Sequence, residues 1–593
     1  MSDNNENPAG DPAADGSTAD GTAAQELRRR TVQCMVVPLP SDVLPAGVEP
    51  YDADSLFTQL DNDPETDTRK RIALAAVPTT AGQLPPAPEV TVVKMPSHRA
   101  AALVRDPRVH IERDHHLRVT SASPEAVATS GINPGVQLKA APVTPVSFLV
   151  TGKGAGPLAD ATIVVMSPEG NFQSSTGPDG RATVNLAIHD LGSISAVYVK
   201  AAYDFWETYQ DLPALSLTAD NAVELRPLAD SFPALLTGQV RGWGLAAMGL
   251  DQVPPNYRGQ GIKVAVIDSG CAAQHPDLAA RIVGGLDLVD GDEPDQWSVD
   301  VIGHGTHCSG VIASSDNARG ILGIVPEAEV HVCKVFPGGR YSGIIEALNY
   351  CVQQGVDVVN LSMGSDEPSA LLSQAIDQAR QAGVACVVAA GNSGGRVQFP
   401  GRLPTVLTVA AMGKIGQFPE HTFHAQQVKG QPDRNGYFSA AFTCYGPEVD
   451  VCAPGVAILS TVPECGHLCE DGTSMATPHV TGLAALVLAH HPDFRDGYRA
   501  RDAQRVDRLF DIIRSSCDQL DFGDAFRTGA GLPNAARALS LTATVAGATT
   551  PELAQLREAM QNAGLLTATS NEVLGPLDDI RRLLRAAGLL SAG

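Results

Sequence analysis

Through the middle of the chain, short runs rich in β-branched residues alternate with stretches whose apolar positions recur at helical spacing. The runs Val264–Ile267, Val330–Val335, Val356–Leu361, Val384–Ala390 and Val406–Ala411 are continuous rather than alternating, so both faces of each strand should be buried. Between them, Gly343–Gln354 and Pro368–Ala382 read as helices. Strand and helix in turn predict a mostly parallel sheet covered by helices, an α/β architecture. In such sheets, polar groups that do chemistry collect at the carboxyl ends of the strands.

The flanks read differently. Residues 1–28 are Asp, Asn, Gly, Ser and Ala with almost no large apolar side chain, which predicts a disordered acidic tail. A small α+β domain is expected over 29–121, with strands at Val32–Val37, Val90–Lys94 and Arg108–Ile111 and helices at Asp52–Leu60 and His98–Val104. After a linker over 122–144, short alternating strands and turn signals such as Thr176-Gly-Pro-Asp-Gly180 predict a β-sandwich over 145–228. The central α/β domain then spans 229–543. A tail over 544–593 carries two amphipathic helices, Leu556–Leu566 and Ile580–Leu590, each ending near a glycine.

Composition narrows the possible partners. The chain has 593 residues and a formal net charge of -24, which disfavours nucleic acid and anionic membranes because the surface repels phosphate. Solubility accounts for such acidity, with salt tolerance or cation binding as the other readings. No apolar run reaches the roughly 18 residues of a spanning helix, and Met1–Gln25 has no signal-peptide pattern. The count of 11 cysteines is odd and without a framework, which predicts free thiols and a reducing compartment; Cys465 and Cys469 either pair or stay inert. A cytoplasmic location follows from these features, with export as the alternative.

Three polar motifs interrupt the α/β pattern. Ile262-Lys-Val-Ala-Val-Ile-Asp-Ser-Gly270 puts Asp268 at the end of a buried strand, where a carboxylate needs a hydrogen-bonding partner. Gly303-His-Gly-Thr-His-Cys-Ser-Gly310 puts His304 at a glycine-flanked helix start, and Gly472-Thr-Ser-Met-Ala-Thr-Pro-His479 does the same for Ser474. A serine hydroxyl is a weak nucleophile at neutral pH and needs an imidazole to take its proton; the imidazole in turn needs a carboxylate to orient it.

These motifs, in the order Asp, His, Ser, resemble those of the subtilisin-like serine proteases, the subtilase family, over about Gln239–Ser540. The resemblance implies a three-layer subtilisin-like domain and a serine endopeptidase acting on polypeptides through an acyl-enzyme. It assigns Ser474 as nucleophile, His304 as general base and Asp268 as its orienting partner, and leaves His307 as a packed structural residue. Asn392, in Val387-Val-Ala-Ala-Gly-Asn392, and the Ser474 backbone N–H are implied as the oxyanion donors. Ser362, Met363 and Gly364 match the edge that pairs with the substrate backbone, with Ala389, Ala390 and Gly391 as the other wall of the first pocket. Tyr341 and Ile344, with Met363, match the apolar pocket further from the scissile bond. Gln398 falls where the family often has a small residue, which implies a shallower or more polar first pocket. Cys308 matches a thiol that proteinase K-like members place beneath the imidazole.

The same resemblance extends outside the chemistry. Asp106–His116 is similar to the end of the inhibitory propeptide that many subtilases carry, so residues 29–121 are expected to act as the chain's own inhibitor in a zymogen, or else form an unrelated α+β domain. The sandwich resembles transthyretin-like modules and is expected to serve as a spacer or, like the helical tail, as a docking site for a protein partner. Gln239, Asp277 and Asn317 resemble side-chain ligands of the family's structural calcium site, which here is either occupied or a metal-free turn; Arg319 brings a positive charge nearby. The insertion Lys414–Gly436, with His421 and His424, is expected to be a solvated loop rather than a metal site. All four reacting positions carry the required residues, which favours an active enzyme over a non-catalytic scaffold.

Overall fold

Burial alternates along the strand Thr31–Pro38, and the alternation sends its side chains to two different cores. Cys34 and Val36 face the helix Ala53–Asp61, while Met35 and Val37 face away from it and join a core shared with the central domain. This is the period-2 geometry of a strand covered on both faces. The computed structural model describes residues 30–73, 89–119, 124, 142–289 and 295–541. The acidic tail, most of the linker and the C-terminal tail with its helices lie outside the described residues.

The first domain is a four-stranded antiparallel sheet in the order Asp67–Ala73, Glu89–Pro96, Thr31–Pro38, Val109–Arg113. The first of these strands was not expected, because DTRKRIA offers a single buried side chain, Ile72. Its pairing partner supplies the order that its own pattern lacks. Asp52 caps the helix Ala53–Asp61 by accepting from the backbone N–H of Asp54 and Ser55. The sheet face away from this helix lies on the helix Tyr341–Gln354, where Lys70 pairs with Glu346.

The sandwich consists of two four-stranded sheets around one core that includes Val146, Phe148, Ile163, Val184 and Val199. Its first strand, Val143–Gly152, begins inside the stretch read as linker. The module is seated on the central domain rather than spaced from it. Trp206 is buried in the central core, Tyr209 N–H donates to the His421 carbonyl at 2.8 Å, and Lys200 pairs with Glu470 at 2.6 Å.

That seating corrects the expectation for Lys414–Gly436. His424 from this insertion is fully enclosed, with Nδ1 2.7 Å from Asp471 and Nε2 3.6 Å from Glu207 of the sandwich, and its ring lies edge-on to Trp206. Burial would pull the His424 pKa down, and the Asp471 and Glu207 charges more than reverse it, to about 9. A loop that looked polar and solvated in isolation is the clasp that holds the sandwich.

In the central domain the sheet runs Ile282–Asp287, Glu329–Lys334, Lys263–Asp268, Val358–Leu361, Ala385–Ala389, Leu407–Lys414, with Val451–Pro454 parallel and Tyr437–Ala440 antiparallel to the last. Tyr341–Gln354 and Ala370–Gln381 cover one face; His304–Ala313 and Thr473–His490 cover the other. The result is a helix, sheet, helix arrangement with the strand ends pointing at one edge. Among the described residues, no helix is long and apolar enough to cross a membrane.

Candidate active site

Asp268 closes the strand Lys263–Asp268 and has no solvent exposure. Its Oδ1 accepts from the Ser269 N–H at 2.7 Å and from His304 Nδ1 at 2.8 Å. With the proton on Nδ1, His304 Nε2 is the acceptor end of the ring, and it takes no hydrogen bond from the described residues. Burial pulls the His304 pKa down, but the Asp268 charge outweighs it and raises it well above the usual histidine range.

The helix start that carries His304 is built for this contact. Gly303, at φ 86°, turns the chain into the helix, and a methyl on Gly305 would lie 2.1 Å from the Gly270 carbonyl oxygen. Asp300 then receives the orphan N–H groups: Gly303 donates to it at 2.8 Å and Thr306 at 2.9 Å, and the Thr306 hydroxyl adds 2.7 Å. Sequence reasoning missed Asp300, although an Asp just before a glycine-flanked helix start is a capping signal. His307 is packed as expected: Nε2 lies 2.9 Å from the Ile458 carbonyl oxygen and burial pushes its pKa down to about 4.

Ser474 opens the helix Thr473–His490. Pro478 sits four residues on and has no N–H, so the Ser474 carbonyl lacks its helical donor. Ser362 Oγ donates to that carbonyl at 3.0 Å and Cys308 Sγ at 3.4 Å, which ties the nucleophile's helix to both the substrate edge and the His304 helix. Ser474 Oγ in turn donates to the Ser362 carbonyl at 3.1 Å. The Ser362 side chain is therefore occupied inside the protein, and only its backbone is left to border the pocket. Burial raises the Cys308 thiol pKa, consistent with a protonated packing group.

Asn392 follows the strand Ala385–Ala389, and its Oδ1 accepts from the Thr473 N–H at 2.9 Å and the Thr473 hydroxyl at 2.8 Å. Those two bonds fix the amide so that Nδ2 is the end that can donate toward a reacting carbonyl. Ala389, Ala390 and Gly391 continue the same edge, with Gly391 N–H donating to the Thr473 hydroxyl at 3.2 Å. Gln398 lies across the gap between the two edges. A methyl on Gly364 would stand 2.7 Å from its Oε1, and one on Gly391 2.6 Å.

The cleft contains a stretch of the chain itself. Arg118 and Val119 pair antiparallel with Gly364 and Met363, and on the other side Leu117 N–H donates to the Gly339 carbonyl at 2.9 Å. Leu117 is buried in the core that includes Tyr341, Ile344, Met363 and Phe399. Upstream, Asp114 caps the helix Tyr341–Gln354 through Ser342 N–H at 3.0 Å, and Glu112 accepts from Ala370 N–H at 2.8 Å and Leu371 N–H at 3.0 Å at the start of the next helix. Two carboxylates thus sit at the positive ends of two helices.

Gln239, Asp277 and Asn317 are also brought together, on the side of the domain where Gln239–Val240 pairs with Gly320–Ile321. Asn317 Nδ2 donates to Asp277 Oδ1 at 3.2 Å, Ile321 N–H to Oδ2 at 3.1 Å, and Gln239 Nε2 to the carbonyls of Ser315 and Ile321 at 2.7 and 3.0 Å. The positive group that reaches Asp277 is His467, 3.2 Å from Oδ2, and not Arg319, whose side chain is exposed. Burial pulls the His467 pKa down, and hydrogen bonds to Asp204 and Asp277 push it up to about 9. The 11 cysteines, Cys465 and Cys469 included, are all unpaired.

Comparison with known proteins places these features. Residues 259–531 match the Subtilase family. The chain is 35% identical over 301 residues to subtilisin DY of Bacillus licheniformis, covering 49% of this chain and 96% of that one. It is 38% identical over 240 residues to an intracellular serine protease of Paenibacillus polymyxa, covering 39% and 67% of the two chains. To subtilisin E of Bacillus subtilis it is 37% identical over 287 residues, covering 47% and 65%.

Proposed function

The chain belongs to the subtilase family and is a subtilisin-like serine endopeptidase, and from that premise we propose that Ser474, His304, Asp268 and Asn392 carry its reaction. Ser474 Oγ attacks the scissile carbonyl while His304 Nε2 takes its proton. Asp268 keeps the ring in the tautomer that leaves Nε2 free to do so and stabilises the imidazolium as it forms. The oxyanion is met by Asn392 Nδ2 and the Ser474 N–H at the start of a long helix. His304 returns the proton to the leaving amine, and a water repeats the sequence to hydrolyse the acyl-enzyme. The observation that carries this reading is the buried 2.8 Å contact between His304 and Asp268 beside a helix opening on Ser474. Labelling of the processed enzyme by a serine-directed phosphonate, absent in Ser474→Ala, tests it.

Subtilases need no cofactor for the chemistry. The N-terminal domain is read as the enzyme's own inhibitor, on the strength of Leu117–Val119 lying along the substrate edge and of Glu112 and Asp114 on the two helix starts. With Leu117 in the apolar pocket and Val119 beside His304, self-cleavage falls just past Val119, and the sandwich stays with the mature enzyme.

Gln398 reads as the residue that sets the first pocket. Its amide fills the space between Gly364 and Gly391, so the residue before the scissile bond is expected to be small or hydroxylated. Gln398→Gly should raise kcat/KM for peptides with Phe or Leu at that position, relative to Ala, by on the order of tenfold or more. Chromogenic peptides differing only there measure it, and an unchanged ratio would remove Gln398 from this role.

Asp277 and the carbonyls of Ser315 and Ile321 are oxygens of the kind a hard cation takes, while Gln239 and Asn317 present their amide nitrogens to those oxygens and would offer oxygen ligands only with both amides turned over. Calcium held there would tie the loop after the His304 helix to the N-terminal edge of the domain and stabilise the fold without entering the reaction. Millimolar calcium should add about 2.7 kcal/mol of stability at a hundredfold excess over Kd and so raise the thermal midpoint, and Asp277→Asn should abolish the rise. A melt indifferent to chelator would mean that His467, Asn317 and the Ile321 N–H satisfy Asp277 without a metal.

A further inference from the structure

A cavity of about 1130 Å³ is lined by Leu117–Val119, by His304 and by Met475, the residue after Ser474. Its central-domain lining mixes polar groups such as Asp300 and Glu464 with exposed aliphatic ones: Val301 and Ile302 are 75% and 47% exposed. The remaining wall comes from another part of the chain. Thr162, Lys200, Ala202 and Tyr203 of the sandwich close the far side of the cavity.

This wall is held in place rather than loosely apposed. Asp204 N–H donates to the His467 carbonyl at 2.8 Å, and His467 N–H returns a bond to the Asp204 carboxylate at 2.9 Å. A methyl on Gly466 would lie 2.3 Å from Tyr203 Cβ and 2.7 Å from its Cγ, so the Gly466 backbone packs directly on the Tyr203 side chain. Lys200 and Glu470, which both line the cavity, pair at 2.6 Å. Tyr203 is left 42% exposed and is part of the cavity lining.

We infer that the β-sandwich builds the leaving-group side of the substrate cleft, and that Tyr203 and its neighbours select polypeptides with apolar side chains after the scissile bond. This rests on the reading of Ser474 and His304 given above. A substrate strand entering in the register of Leu117–Val119 reaches the triad from one end, so the residues beyond its scissile bond have this cavity as their continuation. The lining offers aliphatic and aromatic contact from Val301, Ile302 and Tyr203, and its carboxylates, Asp160 and Glu464 among them, repel an acidic side chain placed there.

The test uses the processed full-length enzyme and internally quenched peptides identical up to the scissile bond, carrying Leu or Asp at the second position after it. Wild type is expected to prefer Leu by about tenfold in kcat/KM. Tyr203→Ala should shrink that ratio toward one, and Ala202→Arg should shift it toward Asp. A wild-type ratio near one overturns the inference, and so does a preference that both variants leave intact. Turnover of either peptide that vanishes in Ser474→Ala reports separately on the active-site reading.

Discussion

Ser474→Ala is expected to lower kcat by on the order of 10⁶-fold, the loss that follows removal of the nucleophile in subtilisin itself. The same change should leave the chain whole where wild type, on incubation, yields a fragment ending just past Val119. Both effects follow from one atom. Ser474 Oγ is the group next to the Ser362 carbonyl at the substrate edge, and the bond that presents the helix, from Ser362 Oγ to the Ser474 carbonyl, uses only the backbone of Ser474 and survives the substitution. The variant should therefore fold as wild type does. Intact mass and peptide turnover, measured on the same samples, check both halves; a variant that still cuts itself would take the nucleophile's role away from Ser474.

Asn392→Ala should cost about 10²–10³-fold in kcat, roughly 3–4 kcal/mol of transition-state stabilisation, with KM little changed. A donor aimed at the oxyanion acts only once charge develops on the carbonyl oxygen, so ground-state binding does not feel its loss. Alanine also removes the acceptor of two Thr473 bonds, which could loosen the Gly472–Ser474 turn. Asn392→Asp separates the two effects, because a carboxylate keeps both Thr473 bonds and donates nothing. It should lose kcat at least as severely as alanine while retaining the wild-type melting curve. Near-normal kcat in Asn392→Asp would show that Asn392 holds the turn and does not serve the oxyanion.

The residues proposed to bear the chemistry were legible because they interrupt strong local patterns. Asp268 ends an apolar strand, and His304 and Ser474 begin helices behind glycines, each a short-range signal. Asp300 escaped notice because its role is to receive N–H groups that exist only once the His304 helix forms. The strand Asp67–Ala73 was missed for a related reason: its polar sequence is ordered by pairing with Glu89–Pro96 and not by its own burial. In Lys414–Gly436 the reading as a solvated loop fails at His424, which is polar on its own and becomes a core residue only between Asp471 and Glu207, which lie 47 positions after it and in a separate domain.

The sequence by itself determined the α/β class of the central domain and was enough to single out Asp268, His304, Ser474, Asn392 and the polar group around Asp277, since each depends on local periodicity or on a contiguous motif. Tertiary structure alone decided what surrounds them. It placed Gln398 between the two pocket edges, put His467 rather than Arg319 on Asp277, and brought Leu117–Val119 and the sandwich to the lining of one cavity beside His304. Those contacts join segments far apart in the chain. Their geometry comes from the packing of whole domains, which no local pattern of side chains encodes.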